Sequence, residues 1–186
     1  MTIDNSVLLT DASVSTSTTQ KIDEIDQRLV ALGSHNNLAS SRRYLSLARA
    51  ALNSNRYKLV KTYLENILIQ LSLYRKSQTN ETNVNTSLLI SEKIIELYRQ
   101  ALAAQTALFP ASEIARLTST IATYETNLTN LLSAAAGRGE VIASRARRFT
   151  SAKDYRTLGE THRTAGRNAQ AKITFFLSQL LFREAL

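Results

Sequence analysis

Apolar positions recur at helical spacing from about residue 19 to the end of this chain, and strand-like alternation is nearly absent. Ile22, Ile25, Leu29 and Leu32 share one face and Gly33 supplies a stop, which predicts a first helix over residues 19–32. Ser34 to Asn37 read as a turn, after which Ser40 or Ser41 caps a helix carrying Tyr44, Leu45, Ala48 and Leu52. The Asn53-Ser54-Asn55 turn leads into the longest apolar helix, about Arg56 to Lys76. Its stripe is Leu59, Tyr63, Ile67, Leu71 and Tyr74, with Val60, Leu64 and Leu68 beside it, so the two helices form an αα-hairpin. Residues 77–85, SQTNETNVN, are polar without a period and predict a surface loop. Thr86 or Ser87 then caps a helix through Ile90, Ile94, Leu97, Ala101 and Leu108, which Pro110 ends. Ser112 caps its successor, which carries Ile114, Leu117, Ile121, Tyr124, Leu128 and Leu131. A last helix from about Asn168 carries Ile173, Phe176, Leu177, Leu180 and Leu181. The fold class expected is all-α, a helical bundle built from αα-hairpins over residues 19–136 within a single domain.

The two ends of the chain depart from this pattern. Residues 1–18 are rich in Ser and Thr around a small apolar knot, Val7, Leu8 and Leu9, and predict an extended N-terminal arm. Residues 173–186 carry Phe175, Phe176, Leu177, Leu180, Leu181 and Phe182, which cover more than one helical face. Core packing, a subunit contact, and a membrane contact through Phe175, Phe176 and Phe182 are three uses for such a helix.

Charge changes the picture most. The net charge is +8, and residues 137–172 hold nine basic side chains against the three acids Glu140, Asp154 and Glu160. The nine are Arg138, Arg145, Arg147, Arg148, Lys153, Arg156, Arg163, Arg167 and Lys172. Taken as one helix, Arg138, Arg145, Arg148, Arg156, Arg163 and Arg167 fall within a stripe about 100° wide. Large apolar residues are few there: Val141, Ile142, Phe149, Tyr155 and Leu158. Such a one-sided run differs from a solvated face, where charges of both signs alternate in i,i+4 pairs. Arg outnumbers Lys, and its planar fork matches phosphate oxygens bidentately, so a nucleic-acid backbone is the partner the stripe suits. Gly137, Gly139, Gly159 and Gly166 either bend the segment or divide it into two helices. If continuous, the stripe runs about 43 Å, longer than one turn of duplex. A bend near Gly159, or wrapping by two subunits, is therefore expected.

Other chemistry finds little support. The chain has no Cys and two His, His35 and His162, in no HExxH-type spacing, so no metal or cofactor is expected. GRG at residues 137–139 lacks the second half of a phosphate-binding loop, and no Ser-His-Asp set stands out, so no small-molecule substrate is expected. No helix pairs a short turn with base-reading side chains, and the tyrosines lie within apolar stripes rather than on a stacking platform. Residues 1–20 lack the basic and apolar runs of a signal peptide, and no run reaches the 18 or so apolar residues of a membrane span.

An arm, a helical bundle, an arginine-rich segment and an apolar tail together resemble the α-helical major coat (capsid) proteins of archaeal filamentous and rod-shaped double-stranded DNA viruses. The resemblance is one of architecture and composition over the whole chain, carried by the Arg138–Arg167 stripe and the arm. It implies a non-enzymatic virion protein that polymerises, with itself or a homologous coat subunit, around linear double-stranded DNA and wraps it regardless of sequence. In some members the DNA is held in the A form. The arm would lace neighbours together. A nucleoid-type protein of the cytoplasm is the alternative location for the same binding. A second reading is a helical adaptor whose basic face binds an anionic membrane or an acidic protein. A third starts from Arg156 and His162 in YRTLGETH, a spacing that resembles the R-x4-6-H motif of HEPN-type ribonucleases, in which the Arg and His act on the RNA backbone.

Overall fold

A computed structural model describes residues 11–140 and 143–186; the N-terminal ten residues, which hold most of the expected arm, lie outside the described residues. Among the described residues seven α-helices follow one another: α1 (Asp11–Ala31), α2 (Asn36–Asn53), α3 (Tyr57–Ser77), α4 (Glu81–Leu102), α5 (Ala111–Gly137), α6 (Ala143–Thr164) and α7 (Asn168–Ala185). No strand occurs among the described residues, so the chain is an all-α helical bundle.

Ion pairs give the register of the first layer. Lys21 Nζ lies 2.7 Å from Glu96 Oε1 and Lys93 Nζ 2.8 Å from Glu24 Oε1, so α1 and α4 run antiparallel. Arg42 Nε meets Asp26 Oδ1 at 2.8 Å and Arg49 meets Asp23, which lays α2 antiparallel along the other flank of α1. Beneath these polar edges Ile22, Ile25 and Leu29 of α1 are buried. The α2–α3 hairpin turns at Asn55, whose φ of 55° is the left-handed conformation that Asn tolerates better than most residues. Across it the Tyr44 and Tyr63 rings stack with centroids 6.2 Å apart.

The apolar tail is the axis of the molecule. Helix α7 packs against α6 most extensively and also against α5, α4 and α3. Ile173, Phe175, Leu177, Leu181, Phe182 and Ala185 are each 0% exposed. Each large side chain so buried contributes about 1.5–3 kcal/mol. A helix so apolar is stable only with protein around most of its circumference, and here it has that, with Phe176, Gln179 and Arg183 on the less covered side. Of the uses open to the tail, core packing is the one observed: Phe175 and Phe182 are core residues and Phe176 is half-buried. No helix among the described residues is long and apolar enough to cross a membrane.

Several expected boundaries shift for local reasons. Helix α1 begins at Asp11, eight residues before the expected start, so part of the Ser/Thr-rich segment is helical. Helix α2 starts inside the expected turn because His35 caps it, its Nδ1 accepting from the Asn37 N–H at 3.2 Å. The same ring packs edge-on to Tyr74 at 5.2 Å. The loop expected over 77–85 shrinks because Asn80 caps α4, its Oδ1 accepting from the Thr82 N–H at 2.9 Å. Helix α4 ends at Leu102 rather than Leu108, and the chain passes through a short 3-10 turn, Thr106–Leu108. That bend turns Phe109 inward, 5.6 Å from the Tyr98 ring. Pro110, expected as a terminator, sits at the N-cap of α5, and Ser112 lies inside that helix rather than capping it.

Candidate nucleic-acid interface

The arginine-rich segment is bounded by two turns of the same design. At the end of α5 the Glu140 N–H bonds to the Ala135 carbonyl at 3.0 Å and the Gly139 N–H to Ala136 at 3.0 Å. At the end of α6 the Arg167 N–H bonds to His162 at 2.9 Å and the Gly166 N–H to Arg163 at 3.0 Å. Both glycines have the positive φ that this C-terminal motif requires, 73° at Gly139 and 71° at Gly166. The segment is therefore not one helix. Arg138 lies in the first turn, Arg167 is the N-cap of α7, and Lys172 is inside α7; the remaining six basic residues lie on α6. The glycine expected to bend the rod does not: α6 is continuous through Gly159. Gly159 is small because α7 is close. A Cβ built there would stand 2.6 Å from Cδ1 and Cε1 of Phe175.

Packing explains what became of the stripe. With Arg145 at zero, Arg156 and Arg163 project at about 0–20°, while the buried Ala152 and Gly159 project at about −20° and −40°. The arginine edge thus runs beside the seam where α6 meets α7, and its side chains reach across to carboxylates of the chain itself. Arg156 pairs with Glu125 of α5. Arg163 Nη2 lies 2.6 Å from Glu160 Oε2, and Arg138 Nε 2.6 Å from Glu140 Oε1. Arg147, on the far side of α6, pairs with Glu81 at the start of α4. Lys153 lies over the Phe149 ring at 4.6 Å. Arg145 is half-buried with no ion pair to a described residue. Because most of these pairs are exposed, each contributes roughly 0–1 kcal/mol and opens readily to a stronger anion.

Two members of the set are anchored in the interior. Arg148 is half-buried; its Nη2 donates to the Arg75 carbonyl at 2.9 Å and its Nε lies 3.9 Å from Glu184 Oε2. Lys172, expected to face phosphate, is 3% exposed and held by Glu113 at 2.7 Å and Glu65 at 3.1 Å. Burial pulls the Lys172 ammonium down, but hydrogen bonding to Glu113 and the nearby Glu65 outweighs this and holds it above the usual lysine range. Lys172 therefore stands away from the exposed basic surface.

Sequence reasoning missed the buried ionic core itself. Arg75, 0% exposed, donates through Nη1 to Ser87 Oγ at 2.9 Å and Ser91 Oγ at 3.0 Å, and through Nη2 to Glu184 Oε1 at 3.3 Å. Burial pushes its guanidinium down and the Glu184 charge opposes that. The signal was present: Arg75 continues the Leu64, Leu68, Leu71 stripe of α3, and Glu184 and Lys172 interrupt an apolar helix. With Arg148, this network ties α3, α4, α6 and α7 together under the basic surface.

Arg156 and His162 do not converge. They sit six residues apart on α6, about 9 Å along its axis and about 120° around it. Arg156 is engaged with Glu125, while His162 is buried, its imidazole held below the usual range by burial and by Arg167 and Arg99. Among the described residues no group of acidic or histidine side chains is placed to hold a metal ion. Two open grooves flank α6. One, of about 380 Å³, runs along α5 beside Glu125 and Arg156. The other, of about 290 Å³, lies between α6 and the start of α4 beside Arg147 and Arg148. No protein-family model, no curated protein and no solved structure matches the chain.

Proposed function

We propose that this chain is a structural, non-catalytic protein that binds double-stranded DNA through backbone phosphates, without regard to sequence, and works as a polymer. The observation that carries the reading is the distribution of charge. The carboxylates of α1, α4 and α7 are largely committed to pairs within the bundle, whereas Arg43, Arg56, Lys58, Lys76, Arg116 and Arg183 are exposed with no ion pair among the described residues. To these α6 adds Arg147, Lys153 and Arg163, exposed and held by contacts that phosphate can replace. A surplus spread over several helices suits a ligand that presents charge at regular intervals, and counterion release supplies the affinity. Assembly into a helical coat around the duplex, within a virion, is the form of this reading closest to the coat-protein resemblance.

The test is binding to a 30-base-pair mixed-sequence duplex with negative-stain imaging of the mixture. Filaments that appear only with DNA support the full proposal. Binding without filaments removes the polymer and leaves a nucleoid-type binder. Preference for acidic lipid vesicles over the duplex replaces DNA with a membrane surface.

A further inference from the structure

We propose that the groove between α6 and the start of α4 is a seat for one backbone phosphate of the nucleic acid, and that Glu81 is a latch the phosphate displaces. The inference rests on the duplex-binding reading above and assigns it a place. The groove, of about 290 Å³, is lined by Arg147, Arg148, Thr150 and Ser151 of α6 and by Asn85 and Glu81 of α4. That volume is small for a free organic ligand and suits a short stretch of a polymer.

The two arginines differ in a way that suits the task. Arg148 is fixed by the Arg75 carbonyl and the buried Glu184, with its side chain 13% exposed, so it offers a preset charge at the edge of the groove. Arg147 is held less firmly: it and Glu81 are 57% and 58% exposed, and among the described residues the ion pair they make is with each other. An exposed pair of this kind gives way when a phosphate offers the guanidinium two oxygens instead. The Ser151 hydroxyl and the Asn85 amide are neutral donors for the remaining oxygens, whereas the Thr150 hydroxyl is spent on the Ala146 carbonyl at 3.1 Å. Val84 and Leu88 give one wall an apolar character that a sugar can cover. Exposed Lys76 precedes the groove-lining Gln78 by two residues and extends the positive surface. Glu81 is the one carboxylate in the lining, so the anion has a single competitor.

The experiment measures anisotropy of a labelled 30-base-pair duplex across a salt series with the full chain. Glu81→Gln is compared with Glu96→Gln, which removes the same charge at the far end of α4, and Arg147→Ala with Arg42→Ala on α2, an exposed arginine likewise paired with a carboxylate, Asp26, and outside the unpartnered basic set. Glu81→Gln is expected to tighten binding about two- to fivefold beyond Glu96→Gln, the worth of an exposed ion pair. Arg147→Ala is expected to weaken binding and lower the salt slope by about 0.9, and to abolish the effect of Glu81→Gln. If the duplex binds but both groove variants match their controls, the seat is wrong while duplex binding stands. If the duplex does not bind at all, both fall. Inorganic phosphate, titrated against the backbone amides of Thr150 and Ser151, separates the sources. Shifts there without an Arg147-dependent duplex affinity would make the groove a small-anion site and overturn the backbone assignment.

Discussion

Replacing Glu184 by Leu is the sharpest test of how the basic surface is held in place. Glu184 is the charge partner of Arg75, whose side chain is 0% exposed, and the two carboxylate–guanidinium atoms stand 3.3 Å apart. Removing the carboxylate leaves Arg75 buried and uncompensated, with the Arg148 charge nearby, a situation that costs about 3–5 kcal/mol. Arg75→Met should cost less, about 2–3 kcal/mol, because Arg148 remains 3.9 Å from Glu184 and keeps part of its compensation. The double variant Arg75→Met/Glu184→Leu removes both charges and fills the space with apolar atoms. Ser87 and Ser91, which now accept from Arg75, can turn their hydroxyls to helix carbonyls one turn back. It should therefore lie within about 1–2 kcal/mol of the unmodified chain, the remaining cost falling on Arg148, which loses Glu184 but keeps the backbone carbonyl of residue 75. Urea unfolding at pH 7 reads this out. With a slope of about 2–3 kcal/mol/M, the Glu184→Leu midpoint should fall by about 1–2.5 M and the double variant should recover most of it. A loss under about 1 kcal/mol in Glu184→Leu, or effects that simply add in the double variant, would refute a buried, coupled pair.

Other outcomes follow from the same geometry. Gly159→Ala improves helix propensity by about 1 kcal/mol but drives a methyl into the fully buried Phe175 ring. Net destabilisation of about 1–3 kcal/mol is expected by thermal unfolding, and an unchanged midpoint would contradict the close α6–α7 contact. His162 is held neutral by burial with Arg167 and Arg99 beside it, so its folded pKa lies below its unfolded value. Its contribution is present above the unfolded pKa, about 6.5, and is lost as pH falls below it towards the folded pKa. The melting temperature should decline in that window, and His162→Gln should flatten the decline measured by circular dichroism. Asn80→Ala removes the cap of α4 and should cost about 1 kcal/mol in urea, and Arg156→Ala, which breaks a part-buried pair, should cost about 1 kcal/mol as well.

Helical periodicity made the class of fold and most of the core legible before any coordinates. Leu64, Ile67, Leu71, Ile90, Ile94, Leu97, Ile114, Leu117 and Ile121 lie on the stripes that the sequence marks, and all are buried. Helix ends were less legible because they depend on single side chains competing for backbone groups, as His35 and Asn80 do. The basic segment was legible as charge but not as geometry. A helical wheel treats Arg138 to Arg167 as one rod, whereas the left-handed turns at Gly139 and Gly166 divide it, and Gly159, which a wheel reads as a break, is a contact point. Nor does a wheel see partners on other helices. Glu125, Glu81 and Glu184 are far from Arg156, Arg147 and Arg148 in sequence and beside them in the fold, which converts an apparent one-sided stripe into a partly neutralised surface.

The most direct measurement of the central claim is the equilibrium affinity for two 30-base-pair duplexes of unrelated sequence, each followed across a salt series. Sequence-independent phosphate binding predicts affinities within about twofold of each other at every salt concentration, and parallel slopes steep enough to count several released counterions. A preference of tenfold or more for one duplex would mean that base pairs are read. A flat salt dependence, or no binding to either, would contradict the account.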